Sequence, residues 1–321
     1  MARPKQHQSP AEKQKAYRQR KAQALRNAAV LRNDPQSLKV ARMPIRYYGG
    51  KTSLAEWIIT QIPPHTCYVE PFCGGASVIL SKLPSKHEVM NDLNRDVINF
   101  FTQLRTNTEA LIRAIWCTPY AREELRLARS REQCDPLEQA RRFYVRQWQS
   151  FGSCVGKSST GWRFQIGAGD SRASATKLWN ETEHLWTVAA RLKLVQIECD
   201  DAFKVIQRFD SPQTVFYLDP PYVHSTRYHN STDKGYAHEM NDDDHRRLSV
   251  LVKSVQGMVL LSGYQSELYD ELFEDWHCVK HEAKNIRGQQ EIECLWLSPN
   301  ATAMHHLPMF QEKNTHATAR T

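Results

Sequence analysis

The run TVFYLDPPY, Thr214 to Tyr222, places five strand-forming residues directly before an aspartate and two consecutive prolines. Proline fixes φ and lacks a backbone N–H, so a strand entering such a corner cannot continue through it. The run reads as a strand that stops at Asp219, with outward-facing carbonyls beside a carboxylate and no competing N–H groups. A corner of that kind offers acceptors only, and it suits an NH2 group.

The rest of the chain supplies a sheet for this strand to join. Residues 66–72 and 87–92 read as strands separated by a glycine-rich turn and a helix, which is a β-α-β unit. Residues 93–115 have helical spacing, and a further helix starts with Asp135 as its N-cap and Pro136 in its first turn. Between 152 and 169, glycines and serines interrupt helix repeatedly, and GWRFQIG reads as one arm of a hairpin or an ordered loop. Strand and helix then alternate from 192 to 276, and the last two strands, 277–283 and 291–298, follow each other without a helix. The expected fold is therefore α/β, a mostly parallel sheet with an antiparallel edge hairpin.

Composition limits the class. With 321 residues and 40% hydrophobic content the chain can bury a sizeable core. No apolar run is long enough to span a bilayer, and the polar, basic N-terminus lacks the apolar segment of an export signal, so a cytoplasmic location and no membrane partner are expected. Eight scattered cysteines, without a Cys-x-x-Cys pair or a histidine at zinc-finger spacing, read as reduced core thiols, and no metal is expected. Charge is uneven: residues 1–42 carry net +9, 43–104 carry 0, 105–177 carry +6 and 178–321 carry −7. Two basic segments flanking a neutral-to-acidic body suit a polyanionic partner.

Ligands of open parallel sheets bind beyond the carboxyl ends of the strands. The first strand runs into EPFCGGAS, where Gly74 and Gly75 let backbone approach a ligand. The second ends in Asp92, 18 residues after Gly74, close to the spacing at which an acidic side chain takes ribose hydroxyls. Together these imply an adenosine-containing cofactor, and departure from Gly-x-Gly-x-x-Gly disfavours a nicotinamide one. At the third strand end, Asp219 and the Pro220 carbonyl can each accept one N–H of an exocyclic base amine, freeing its lone pair for an electrophilic methyl. Tyr222 would then stack on a base turned out of its helix.

RYYGGK (Arg46 to Lys51), YVEPFCGGAS and FYLDPPY, in that order, resemble the Dam-type (α-group) DNA adenine-N6 methyltransferases. The likeness continues through Glu239 and Met240, Asp244 and His245, and LSGYQSELYDEL. It implies a Rossmann-like methyltransferase fold, S-adenosylmethionine as cofactor and double-stranded DNA as partner. It also implies cofactor contacts from Tyr47, Lys51, Glu70, Phe72, Gly74, Asp92 and Asp201, with Asp219, Pro220 and Tyr222 as the catalytic motif. Residues 43–104 and 178–300 would form the catalytic domain, and the basic stretch 105–177 an inserted target-recognition domain. Lys157 and Arg163, flanking SSTGW, are the candidate DNA contacts. Residues 1–42 would be a flexible basic arm and 301–321 a flexible tail. An RNA adenine-N6 methyltransferase shares fold and motif, and a catalytically silent DNA-binding relative is the other alternative.

Overall fold

A computed structural model of the chain describes residues 18–19, 39–130, 132–151, 161–164, 175–226, 238–284 and 290–305. Within them, seven strands form one sheet: β1 (Cys67–Glu70), β2 (His87–Asn91), β3 (Gln196–Glu198), β4 (Thr214–Leu218), β5 (Met258–Tyr264), β6 (His277–Lys284) and β7 (Gln290–Leu297). Their order is β3-β2-β1-β4-β5-β7-β6. The first five pair in parallel, and β7 lies antiparallel between β5 and β6. The expected α/β sheet with an antiparallel edge is thus the observed one, with the last strand inserted inside the edge rather than forming it.

The strand that opens the argument is central. Every residue of β4 is buried, with Val215 and Tyr217 facing one apolar cluster and Phe216 and Leu218 the other. Such two-sided burial is why the run shows no polar alternation. Strand order reverses between β1 and β4, because β2 and β3 continue from β1 in one direction and β5 in the other. That reversal leaves a crevice at the carboxyl ends of β1 and β4.

Helices cover both faces. On one side lie α1 (Ala55–Thr60), α2 (Ser77–Ser81), α3 (Arg95–Thr106), α4 (Thr108–Cys117), α5 (Arg122–Ala128), α6 (Pro136–Gln149), α7 (Ala175–Asn180) and α8 (His184–Leu192). The helix expected over 93–115 is two helices, because Asn107 leaves helical geometry at φ −116° and ψ 39° and joins α3 to α4. Asp135 caps α6 as expected, accepting the Leu137 and Glu138 N–H groups at 2.9 and 3.0 Å. Phe100, Phe143, Tyr144, Trp148 and Trp179 share one apolar cluster with Ile58, Tyr68 and Ile79, so the helices of the 105–177 stretch pack into the same layer as α1 and α2. On the other face α9 (Ala202–Arg208), α10 (Asp242–Ser254) and α11 (Glu267–Leu272) cover the sheet.

The folded body is wider than the 43–300 limits expected. Val40 is buried and donates its N–H to the Leu80 carbonyl at 2.9 Å, while Arg42 pairs with Glu181 at 3.0 Å and lies over the Trp148 ring. At the other end, α12 (Pro299–His305) inserts Ala301 into the core. A basic stretch of low apolar content hides the first anchor from a composition argument, and a short polar segment with two alanines hides the second. No helix among the described residues is long and apolar enough to cross a membrane.

Candidate active site

The crevice is a cavity of about 240 Å³. It is lined by Tyr47, Lys51, Glu70, Phe72, Gly74, Asp92 and Asp201, the residues expected to meet a cofactor, and also by Asp219 and Pro221. Pro220 and Tyr222 are buried beside it and do not line it.

One wall is the turn after β1. Gly74 sits at φ +46°, and a Cβ there would fall 2.8 Å from the Tyr47 ring, so only glycine allows ring and turn to meet. Asp92, just past β2, accepts the Gly74 N–H and the Asn94 N–H, each at 2.8 Å. Burial raises its carboxyl, and these two N–H bonds pull the other way. Glu70 closes β1 with its carboxylate held by the Tyr68 hydroxyl at 2.8 Å, and burial pushes its pKa up to about 8. Phe72 is half-buried against the second apolar cluster. Asn91 escaped the sequence reading. Its buried amide donates to the Pro71 and Asp200 carbonyls at 2.9 and 3.0 Å and accepts the Asp200 N–H at 2.9 Å. It thereby ties together the carboxyl ends of β1, β2 and β3, and an asparagine closing an apolar strand was its one visible signal.

Asp201 stands at the start of α9, where its carboxylate accepts the Phe203 N–H at 2.9 Å. Phe203, also on the cavity wall, carries the Arg247 guanidinium over its ring, 5.1 Å from the centroid.

The opposite wall holds the charged cluster. Lys51 is buried; its ammonium donates to Asp219 Oδ1 at 2.7 Å and to the Gly49 carbonyl at 3.1 Å. It stands 3.7 Å from Glu293 Oε1 and 4.7 Å above the Tyr222 ring. The Tyr222 hydroxyl, for which sequence reasoning found no task, donates to that same Glu293 oxygen. Burial alone would lower the Lys51 pKa, but the Asp219 and Glu293 charges outweigh it and raise the value. Asp219 and Glu293 are both raised, chiefly by burial and against the pull of Lys51.

Of the two candidate DNA contacts, Lys157 lies outside the described residues. Arg163 sits in a short paired stretch: its N–H bonds the Gln149 carbonyl at 2.8 Å, its own carbonyl takes the Tyr120 hydroxyl at 2.5 Å, and neighbouring Trp162 bridges to Ser150. Phe151 and Phe164 are exposed on the same stretch, and Arg122 stacks on Trp162.

A parallel sheet in this order, with a glycine turn and carboxylate at one strand end and an Asp-Pro-Pro-Tyr corner at the next, defines an α/β methyltransferase of the Rossmann-like class. Its family follows from comparison with known proteins: residues 47–287 match the D12 class N6 adenine-specific DNA methyltransferases, and the chain belongs to that family. It is an adenine-specific DNA methyltransferase. Over 261 residues it is 26% identical to the Type II methyltransferase M1.LlaDCHI of Lactococcus lactis subsp. cremoris, covering 76% of this chain and 88% of that one. Over 245 residues it is 27% identical to the DNA adenine methylase of Haemophilus influenzae, covering 71% and 82%. A DNA adenine methylase of Vibrio cholerae is 28% identical over 193 residues, 58% of this chain and 67% of its own.

Proposed function

We propose that the cavity holds S-adenosylmethionine beside an adenine turned out of duplex DNA, and that Asp219, on the corner that the buried Pro220 stiffens, orients the adenine amine for methylation at N6. The observation that carries this reading is that Asp219 opens into the same cavity as the Gly74 turn and Asp92. The residues fit such a cofactor. The glycine turn brings its backbone and the Tyr47 ring together on the cavity wall, Asp92 is a half-buried acceptor suited to ribose hydroxyls, and Phe72 and Phe203 offer apolar surface to a base. Tyr47, Gly74, Asp92 and Asp201 would hold it, and when bound it supplies an electrophilic methyl group.

The chain's own contribution is electrostatic and geometric. Asp219 accepts an N–H of the adenine amine, so that nitrogen pyramidalises and its lone pair leaves the ring system. As N6 gains its new bond it must shed a proton, and the same carboxylate is placed to take it. Lys51 holds Asp219 in place from below at 2.7 Å. The paired stretch around Arg163, with exposed Phe151 and Phe164, would face the duplex, and action on cellular DNA accords with a cytoplasmic location.

Mapping modified bases in DNA and RNA from cells expressing the protein tests substrate, atom and sequence context together. N6-methyladenine in DNA is expected, and methyl groups confined to RNA would overturn the duplex-DNA reading. Calorimetry with purified protein should show S-adenosylmethionine binding that weakens by roughly 1–3 kcal/mol in Asp92→Ala, the cost of a lost charged acceptor.

A further inference from the structure

Glu293 lies on β7, outside residues 47–287 that match the family. It is a carboxylate on a strand whose following residues, Cys294 to Leu297, are all buried and apolar, and it is itself only 3% exposed. By the two-residue period of a strand it shares a face with Leu295 and Leu297, both in the larger core cluster. A charge in that position is costly unless it is partnered. Its partners are both at the methyl-transfer site: the Tyr222 hydroxyl donates to Oε1, and the Lys51 ammonium lies 3.7 Å from the same oxygen. Glu293 does not line the cavity, so it reaches a substrate only through those two side chains.

We propose that Glu293 is a positioning residue of the methyl-transfer site, fixing Lys51 and Tyr222 so that Asp219 is presented to the cavity as a rigid acceptor. The proposal rests on the reading of Asp219 as the amine acceptor. Without Glu293, Lys51 keeps one carboxylate partner and the Tyr222 hydroxyl loses the one drawn above. With it, the ammonium is held between two carboxylates, one belonging to the corner and one to the far strand. The arrangement has a third consequence: two negative charges and one positive leave the cluster at net −1 when all three are ionised. The groups that face it are Glu70 and Tyr68 from β1, Tyr217 from β4, Tyr264 opposite Glu293 on β5 and His281 opposite it on β6. Glu293 touches both Lys51 and Tyr222, as Asp219 does from the other side of the ammonium.

Removing one negative charge from such a cluster favours the deprotonated form of every group that remains. In Glu293→Gln, which keeps an acceptor for Tyr222 but no charge, Asp219 ionises at lower pH and Lys51 also loses its proton at lower pH. The pH profile of single-turnover methyl transfer to DNA should therefore move bodily towards acid by about one unit, equivalent to a tenfold rate change on each limb. Calorimetric affinity for S-adenosylmethionine should stay within twofold of wild type, because Glu293 does not reach the cavity. Glu293→Asp, which keeps the charge, should leave the profile where it is while lowering the maximal rate. A Gln variant that melts earlier and loses rate equally at every pH would make Glu293 a structural carboxylate and overturn the proposal, and so would an unmoved profile. Asp219→Ala, run in parallel, separates the two levels: if it turns over normally, the acceptor reading itself fails, whatever Glu293 does.

Discussion

At the scale of single residues, the site divides into groups that meet the substrate and groups that hold them. In the proposed site Asp219 is of the first kind. Replacing it with alanine should lower the rate of methyl transfer by at least about 100-fold, the cost of a lost preorganised partner, while duplex binding changes little. Turnover near normal would remove it from the reaction. Tyr222 is of the second kind, since its ring underlies Lys51 and its hydroxyl meets Glu293. Tyr222→Phe should keep most activity if the ring carries the function, and a rate as low as that of Tyr222→Ala would assign the work to the hydroxyl. Glu70 bears on stability. With a folded pKa near 8, against the ordinary carboxylate range in the unfolded chain, it holds a proton after folding that the unfolded chain has released. Its contribution is fully present below the unfolded pKa and is lost progressively as pH rises towards about 8. Urea midpoints at pH 5 and pH 8 should differ less in Glu70→Gln than in wild type. Most residues read from local pattern share one trait, proline, glycine or a charge at a strand end, while Tyr47, Lys51 and Phe72 came only with the family resemblance. Glu293 and Asn91 lack it, because a polar residue within an apolar strand acquires a role only through neighbours that the chain brings in from elsewhere.

Elements carry the next level of constraint. The turn between β1 and α2 works because Gly74 occupies φ +46° with Tyr47 pressed against it. Gly74→Ala should weaken cofactor affinity at least about tenfold, since the new methyl group meets the ring at 2.8 Å in a backbone conformation that alanine resists. Unchanged affinity by calorimetry would show that the turn yields without cost. A separate device joins β2 to α8. Glu88 is fully buried and pairs with Lys82 at 2.6 Å and with Arg191 at 2.5 Å, while Arg191 also donates to the Ile79 carbonyl at 2.8 Å. Breaking a buried pair strands the remaining charge, so Arg191→Ala should cost about 3–5 kcal/mol in denaturant unfolding. Retention of wild-type stability would mean that Glu88 is satisfied by Lys82 alone. Element type was readable from periodicity and caps, as at Asp135 and Pro136. The division of 95–117 into α3 and α4 was not, because Asn107 interrupts no hydrophobic period and only its backbone turns.

For the whole molecule, charge and topology govern what can be expected. Residues 1–38 carry nine lysines and arginines against two acidic residues, a net +7 of the total +8. Val40 and Arg42 are anchored in the body, so a clean truncation removes 1–38 and spares them. The shortened protein should bind all duplexes more weakly and with a shallower dependence on salt, while its methylation motif persists, because phosphate contacts position without reading bases. Binding across a salt series decides this, and identical slopes would show that the segment does not touch DNA. The sheet's general plan was open to reading because alternation of strand and helix is a local pattern, whereas the place of β7 depends on pairing between distant segments. That placement governs timing during synthesis. β6 leaves the ribosome before β7, yet among the described residues its only sheet neighbour is β7, which must first slot in beside β5. Lys51 and Asp219 are by then long made, but the carboxylate that braces them arrives on the final strand. A nascent chain therefore lacks this brace until β7 has emerged and paired beside β5.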